Sequence, residues 1–233
     1  MNKTAAVVLA GGRGERIGGP VPKQYLELAG KPMLWHTLKA FEASVVDEVI
    51  LVVPKGGVDY AREQYVEKYG FRKIAAVVEG GAERYDSVYA GLDALRDRGC
   101  RIVAIHDGAR PLVTPELILQ SVHTAEAHGA CVIAVPVKDT IKLADAEGFA
   151  AETLPRNRLW AMQTPQTFRY DICIRAFDRM MEREGGREGI TDDAMVIEKY
   201  SSTQVKFSMG DYRNIKVTTR EDLITAEAFL KSV

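Results

Sequence analysis

The chain has 233 residues, 46% of them hydrophobic, and its 31 Lys and Arg against 32 Asp and Glu leave a formal net charge of -1. This length and composition predict a single α/β domain over residues 1–233, and the charge balance excludes the broad cationic surface of a nucleic-acid-binding protein. The sequence contains no apolar run of membrane-spanning length and no charged-then-apolar leader, so we expect no membrane partner and a cytoplasmic location.

Short runs rich in Val and Ile alternate with amphipathic stretches of helical period. This alternation is typical of a Rossmann-like α/β fold, a mostly parallel sheet with helices on both faces. Three helix starts are recognisable: Pro32 as a first helical residue, Thr114 as a cap, and a capping box over residues 218–221. The predicted strands are Ala5–Leu9, Glu48–Val53, Ile74–Val78, Ile102–His106, Cys131–Pro136 and Gln204–Ser208.

A glycine-rich loop with cations follows the first predicted strand. It runs Leu9-Ala10-Gly11-Gly12-Arg13-Gly14-Glu15-Arg16, and Lys23 follows shortly after. Glycines let the backbone approach an anion and offer N–H donors, while Arg16 and Lys23 add positive charge. The loop matches neither the P-loop nor the dinucleotide-binding pattern. A plain turn is the alternative reading, and the pattern favours the polyphosphate site of a nucleoside triphosphate transferase.

Residues 137–158 interrupt the alternation. The stretch is polar, has a turn at residues 145–148, and predicts a projecting β-hairpin with too little apolar surface to join the core. A hairpin of this kind is marginal alone, so we expect it to pack on another body, most economically a second subunit. A surface loop without a partner is the alternative.

Further chemistry-bearing stretches follow later predicted strands, where ligands bind in open parallel sheets. Taken singly, three of their residues have plain structural readings: Thr191 as a helix cap, Arg84 as a solvated charge and His106 as a satisfied histidine at a strand end. The stretches are residues 80–87 and 106–111, then Arg156, and then residues 164–166, 191–193 and 214–218.

Taken together and in order, several motifs define a family resemblance. They are Pro22-Lys23-Gln24-Tyr25, Gly80-Gly81 with Arg84 and Asp86-Ser87-Val88, His106-Asp107 with Ala109-Arg110-Pro111, Lys138-Asp139-Thr140, Leu159-Trp160 with Gln163-Thr164-Pro165-Gln166, and Ile190-Thr191-Asp192. On these motifs the chain resembles the 2-C-methyl-D-erythritol 4-phosphate cytidylyltransferases over nearly its whole length. It departs from them by small exchanges, with Gly11, Ile17 and Gly108 standing where the family often carries alanine, methionine and alanine.

The resemblance implies a fold of the nucleotide-diphospho-sugar transferase type. It also implies transfer of CMP from CTP to 2-C-methyl-D-erythritol 4-phosphate, with release of pyrophosphate, in the non-mevalonate isoprenoid pathway. Mg²⁺ held mainly by the triphosphate is implied as well, with Asp107 the one protein ligand to consider and no metal ligand assigned. The alternatives are a cytidylyltransferase for another polyol phosphate, such as ribitol 5-phosphate, and a non-catalytic nucleotide-binding regulatory module.

The family's pattern also implies roles for individual residues. The catalytic residues would be Arg16, Lys23, Arg156 and Lys216. The CTP-binding residues would be Ala10, Gly11, Gly12, Gly14, Gly80, Gly81 and Ser87. The polyol phosphate and ribose would contact Asp107, Arg110, Thr140, Arg156, Thr164, Thr191 and Lys216. In the family the hairpin reaches the neighbouring subunit, so a homodimer whose sites are completed in trans by Thr140 and Arg156 is implied.

Overall fold

A computed structural model of the chain describes residues 3–12 and 23–231. The strands are β1 Lys3–Leu9, β2 Glu27–Leu28, β3 Lys31–Pro32, β4 Glu48–Val53, β5 Ile74–Glu79, β6 Cys100–Asp107, β7 Ala130–Pro136, β8 Lys142–Ala144, β9 Ala150–Thr153, β10 Trp160–Arg169 and β11 Lys206–Met209. The α-helices are α1 Met33–Ala43, α2 Val58–Ala61, α3 Arg84–Asp93, α4 Pro115–His128, α5 Tyr170–Glu182, α6 Asp193–Tyr200 and α7 Arg220–Lys231. Two 3₁₀ turns, Lys23–Tyr25 and Arg156–Arg158, and a π-helical turn, Arg62–Glu67, complete these elements. Within this part of the chain, none of the helices has the length and hydropathy that crossing a bilayer requires.

The main sheet has seven strands in the order β11-β7-β10-β6-β1-β4-β5. Neighbouring strands are parallel except around β10, which runs antiparallel to both β6 and β7. The predicted mostly parallel sheet is therefore confirmed. Each predicted strand is present, although the last one, β11, begins at Lys206 rather than at Gln204.

Helices cover both faces of the sheet, as the alternation predicted. Val7 of β1 packs in one core cluster with Val88 of α3 and Phe177 of α5. Its neighbour Val8 packs in another cluster with Phe41 of α1. Successive side chains of a strand point to opposite faces, so one strand supplies both clusters.

Strand β10 is the strand of the main sheet that the sequence did not predict. It contains Pro165, which cannot donate a ladder hydrogen bond and argues against a central strand. The sheet accommodates the proline at an irregularity in the pairing of β10 with β7, between Met162 and Gln166. The expectation that residues 164–166 follow a strand end is therefore wrong. They lie inside an antiparallel strand, beside the end of β6.

The helix starts agree with the predictions at α4 and differ by one residue at α1, which begins at Met33 rather than at Pro32, and at α7. Thr114 caps α4, because its side chain accepts a hydrogen bond from the backbone N–H of Leu117 at 3.3 Å. At α7 the capping box joins Thr219 and Asp222, with hydrogen bonds of 2.9 and 3.3 Å, rather than residues 218 and 221. Asp222 takes this role because its carboxylate also accepts from the backbone and hydroxyl of Thr218, at 2.8 Å each.

Residues 137–158 contain a two-stranded hairpin in which β8 and β9 pair antiparallel. Asp145 closes the turn, accepting hydrogen bonds from the backbone of Glu147 and Phe149 at 3.0 and 2.9 Å. Every residue of β8 and β9 is exposed. The hairpin's role as an arm between subunits stays a prediction, as does the organisation of the chain as one domain.

Candidate active site

The first glycine loop begins where β1 ends. Ala10 is buried, and its backbone N–H donates to the carbonyl of Val52 at 2.7 Å. Its carbonyl accepts from Nε2 of Gln24 at 2.7 Å, so Gln24 ties the 3₁₀ turn that starts at Lys23 to this loop. Gly11 and Gly12 follow directly. Of the other residues predicted here, Gly14 and Arg16 lie outside the described part of the chain, and so does the side chain of Lys23.

The second glycine stretch packs closely on the start of α3. A Cβ atom added to Gly80 would lie 2.5 Å from Oγ of Ser87, and one added to Gly81 would collide with Cβ of Asp86. Ser87 is buried, and its Oγ is also the atom nearest to the Cβ position of Gly11, at 3.9 Å. The structure therefore brings together two of the stretches predicted to bind CTP, and positions 80 and 81 leave no room for side chains.

A network of charged side chains lies at the end of β6, and we call it the Asp107 network: Arg84, Asp107, Arg110, Asp193 and Lys216. Oδ1 of Asp107 accepts from Nε of Arg84 at 3.2 Å, while Oδ2 lies 2.8 Å from Nζ of Lys216 and 3.9 Å from Nε of Arg110. Arg84 also donates from both terminal nitrogens to the two carboxylate oxygens of Asp193, at 2.7 and 2.8 Å. Three cations thus share two carboxylates.

Electrostatics keep Asp107 ionised in this setting. Burial alone would raise its pKa, but Arg84, Lys216 and Arg110 together hold the pKa well below its usual range. Burial also lowers the pKa of Arg110. Both oxygens of the Asp107 carboxylate face cations, so the network presents a cluster of positive groups held around a central anion.

Neutral polar groups beneath the network fix its geometry. Oγ1 of Thr164 accepts from the backbone N–H of Asp107 at 3.1 Å and lies 3.0 Å from Nδ1 of His106. Full burial lowers the pKa of His106 to about 3, so its imidazole is neutral near pH 7. Asn214 donates to the carbonyl of Thr164 at 2.9 Å, and its own carbonyl accepts from Nη1 of Arg110 at 2.8 Å. The reading of His106 as a satisfied strand-end histidine agrees with the structure.

The plain structural readings of Arg84 and Thr191 are wrong. Arg84 is not a solvated charge, because its guanidinium bridges Asp107 and Asp193. Thr191 is not the cap of α6, because Asp192 accepts from the backbone N–H of Met195 at 3.0 Å and takes that role. Thr191 is exposed just before this cap. Aspartate caps helices as well as threonine does, so the helix starts one residue later than a threonine cap would place it.

Two predicted substrate residues belong to the hairpin stretch. Thr140 and Arg156 are exposed, and Nη1 of Arg156 donates to the carbonyl of Lys138 at 2.9 Å. Among the residues described, no hydrogen bond or ion pair joins either residue to the Asp107 network. One chain thus connects Asp107 with Arg110, Thr164 and Lys216 by direct contacts and connects neither Thr140 nor Arg156 with them.

The sequence reasoning did not assign a role to Asp193, Asn214 or Gln166. Gln166 joins β10 to the start of α6, donating to Oδ2 of Asp192 at 3.0 Å and accepting from the backbone N–H of Ala194 at 2.8 Å. A signal for Asp193 was present, because two consecutive aspartates stand at a helix start that needs only one of them as its cap. Asn214 and Gln166 lie in stretches that the sequence marks as chemistry-bearing, but no local pattern indicates the hydrogen bonds that their buried amides make.

The described residues contain no group of three or more His, Cys, Asp or Glu side chains placed to hold a metal ion. Asp107 was the carboxylate to consider, and its two oxygens already contact Arg84 and Lys216. These ion pairs do not fit a Mg²⁺ ion held by Asp107, because the ion would have to displace a cation from the carboxylate.

Comparison with known proteins gives consistent matches along the chain. The family profile described as 2-C-methyl-D-erythritol 4-phosphate cytidylyltransferase matches residues 4–232. The protein of that name from Pelotomaculum thermopropionicum is 50% identical to this chain, over 100% of this chain and 96% of its own length. The one from Alkaliphilus oremlandii is 46% identical, over 100% of this chain and 97% of its own length. The crystal structure of 4-diphosphocytidyl-2C-methyl-D-erythritol synthase from Anaerococcus prevotii superposes with a TM-score of 0.84 at 31% identity, over 99% of each chain.

The sheet topology, the two glycine loops and the superposition on solved synthase structures define a nucleotidyltransferase of the α/β class. Within that class, the chain belongs to the 2-C-methyl-D-erythritol 4-phosphate cytidylyltransferase family. The resemblance read from the motifs is confirmed, and so is the prediction that the protein is an enzyme.

Proposed function

We propose that the protein transfers CMP from CTP to 2-C-methyl-D-erythritol 4-phosphate and releases pyrophosphate, as a cytoplasmic step of the non-mevalonate isoprenoid pathway. The relatives that cover the whole chain are named for this activity. The observation that supports it in this chain is the Asp107 network, which gathers Arg84, Arg110 and Lys216 at the carboxyl end of β6.

A cluster of held cations suits a reaction between two polyanions. A phosphate oxygen of the acceptor attacks the α-phosphorus of CTP, and the bond to the pyrophosphate oxygen breaks as the new bond forms. The nucleophile is already an anion, so the reaction requires no general base and no proton transfer by His106. Cations that would repel one another are kept close by Asp107 and Asp193, so the positive site is formed before the substrates bind.

Individual roles follow from this arrangement. Lys216 contacts the triphosphate together with Arg16 and Lys23 and stabilises the charge of the transition state. Arg110, Thr164, Thr191 and Asp107 lie around the polyol phosphate and the ribose. Backbone groups of Gly80 and Gly81, with Ser87, read the cytosine in a pocket too narrow for a purine. The glycine loop holds the phosphates through Ala10, Gly11, Gly12 and Gly14.

A Mg²⁺ ion bound with CTP would be held mainly by phosphate oxygens and water. The ion pairs of Asp107 support this arrangement, because they occupy the carboxylate that would otherwise be its protein ligand. Bound in this way, the ion would neutralise part of the triphosphate charge.

The protein acts as a homodimer in which each hairpin completes the site of the other subunit through Thr140 and Arg156. The surface of the hairpin supports this assembly. Ile141, Leu143 and Phe149 are 37%, 48% and 68% exposed, and several large apolar side chains exposed on one short hairpin suit a contact surface. A twofold pairing is also the most common arrangement of soluble oligomers.

A pyrophosphate-release assay tests the proposed reaction. The purified protein is mixed with CTP, UTP, ATP or GTP in combination with 2-C-methyl-D-erythritol 4-phosphate, ribitol 5-phosphate or no acceptor. We expect release with CTP and the erythritol phosphate, and little without an acceptor. Faster turnover of ribitol 5-phosphate would assign the enzyme to that polyol instead. Nucleotide binding without turnover of any acceptor would indicate a regulatory module.

A further inference from the structure

Asp193 is a buried carboxylate that contacts Arg84 of the Asp107 network and does not cap its own helix. Its side chain is 1% exposed at the first residue of α6. The helix is capped by its neighbour Asp192, so Asp193 is not needed for that purpose. Both of its oxygens instead accept from the terminal nitrogens of Arg84, at 2.7 and 2.8 Å.

This bidentate pair determines what Arg84 can offer to Asp107. A guanidinium is a rigid planar fork, so engaging both terminal nitrogens with one carboxylate fixes its plane. With its plane fixed in this way, Arg84 meets Asp107 through Nε, which donates to Oδ1 at 3.2 Å. Oδ2 of Asp107 is left for Lys216, whose Nζ lies 2.8 Å away.

We propose that Asp193 is a positioning residue of the active site, which holds the fork of Arg84 and thereby keeps Oδ2 of Asp107 available to Lys216. The inference depends on the proposed function, in which Lys216 is a cation on the triphosphate. Without the charge of Asp193, Arg84 turns its fork to the remaining carboxylate and takes both oxygens of Asp107. Lys216 then loses the anchor that sets its position.

A purely structural role for Asp193, as the counter-ion of a buried arginine, makes a different prediction, and a double-mutant cycle separates the two. The cycle compares Asp193→Asn, Lys216→Ala and the double variant by kcat. We expect Asp193→Asn to lower kcat by about 10- to 100-fold, with KM for CTP within about threefold of wild type. In the Lys216→Ala background the same change should lower kcat by less than about threefold, because the residue it positions is gone. Losses that multiply fully would overturn the proposal.

Two further variants control for folding and charge. Asp178→Asn removes a carboxylate from another ion pair, in which Nη2 of Arg96 donates to Oδ1 of Asp178 at 2.6 Å and which shares no residue with the network. It should leave kcat within about twofold of wild type. Arg84→Lys keeps the positive charge but cannot hold two carboxylates, so it should reproduce the loss in kcat. If Asp193→Asn fails to fold in thermal unfolding, the cycle is measured with Arg84→Lys and Lys216→Ala.

Failure of this inference is distinguishable from failure of the proposed function. Wild-type protein that turns over none of the acceptors contradicts the function itself. The geometry is then tested without turnover, in a crystal structure of Asp193→Asn or of Arg84→Lys. For Asp193→Asn we expect both oxygens of Asp107 to contact Arg84, with Nζ of Lys216 beyond hydrogen-bond distance. Arg84→Lys removes the Nε donor that holds Oδ1 of Asp107, so we expect this carboxylate to rotate and Nζ of Lys216 to leave its present position with it. In either structure, Nζ of Lys216 still 2.8 Å from Oδ2 of Asp107 would overturn the inference.

Discussion

The Asp107 network and the hairpin of residues 137–158 are both predicted to contact substrate, yet they differ in burial and in the contacts that hold their side chains. In the network, Asp107 and Asp193 are 11% and 1% exposed, and each is held by cations at hydrogen-bond distance. In the hairpin, both strands are exposed throughout.

This difference separates what one subunit builds from what it needs a partner to complete. A buried polar network must satisfy its own groups when the chain folds, so its geometry is set before any ligand arrives. An exposed two-stranded hairpin has little to hold it in place, and its side chains acquire fixed positions only against another surface. Substitutions in the network and in the hairpin can therefore be expected to act differently.

Lys216→Ala should cause the largest loss, because it removes a preformed cation from the network. We expect kcat to fall by about 10²–10³-fold with a smaller change in KM for CTP, since the charge it stabilises is greatest in the transition state. The neighbouring exposed cation Arg213, which pairs with Asp211 at 2.7 Å, provides the matched control. Steady-state kinetics of Arg213→Ala should match wild type, and a raised KM with intact kcat in Lys216→Ala would assign Lys216 to ground-state binding.

Arg156→Ala tests the other side of the contrast. We expect kcat/KM to fall by about 10- to 100-fold, the usual range for losing a hydrogen bond to a charged ligand group. If Arg156 acts in the active site of the other subunit, the loss should be complemented by Lys23→Ala, which damages the active site of its own subunit. Co-refolding the two variants should restore activity toward about a quarter of wild type, because random pairing makes half of the dimers mixed and half of the sites in mixed dimers carry neither defect.

Chromatography must show that mixed dimers form. If they form and no activity returns, Arg156 serves its own subunit, and the two regions do not differ in the way proposed. A variant pair damaged on the same side, Lys23→Ala with Lys216→Ala, is the control and should show no recovery.

The same contrast explains which parts of the fold the sequence predicts. The parallel strands are continuous apolar runs, so their pattern is visible without any tertiary information. Strand β10 is not visible, because Pro165 and the polar side chains around it read as a loop. Those polar side chains are buried because they support Asp107 and α6, a requirement that arises only after the sheet has assembled.

The site divides along similar lines. The topology rule places the glycine loops and residues 106–111 at strand ends, and the family resemblance implies roles for many of their residues. The pairing of Arg84 with Asp193 is different, because the two residues are 109 positions apart and no local pattern joins them. Local pattern therefore predicts where chemistry is located, whereas the contacts that hold its side chains come from the assembled fold.

The burial of His106 predicts that the free energy of unfolding decreases in acid. The pKa of His106 is lowered to about 3 in the folded protein and is about 6.5 when the chain is unfolded, so the unfolded state alone binds this proton between those values. Its contribution to the free energy of unfolding is complete above pH 6.5 and falls as the pH drops toward 3. From pH 7 to pH 5 the loss should be about 2 kcal/mol. Urea unfolding measures this loss. His106→Gln should lose about 2 kcal/mol less than wild type between pH 7 and pH 5, whereas substitution of the exposed His123 by Gln should leave the loss unchanged.

The smallest expected effect concerns the second glycine stretch, Gly80 and Gly81, which packs tightly on the start of α3. Gly81→Ala should raise KM for CTP about tenfold, because its new Cβ would collide with Cβ of Asp86 and displace the turn that precedes α3. Gly11→Ala is the matched control, because the nearest atom to its Cβ would be Oγ of Ser87 at 3.9 Å, an ordinary contact. Both variants add one methyl group beside the same predicted pocket, so their difference isolates packing. Equal KM values would mean that the loop yields, and that cytosine selection does not depend on its tight packing against α3.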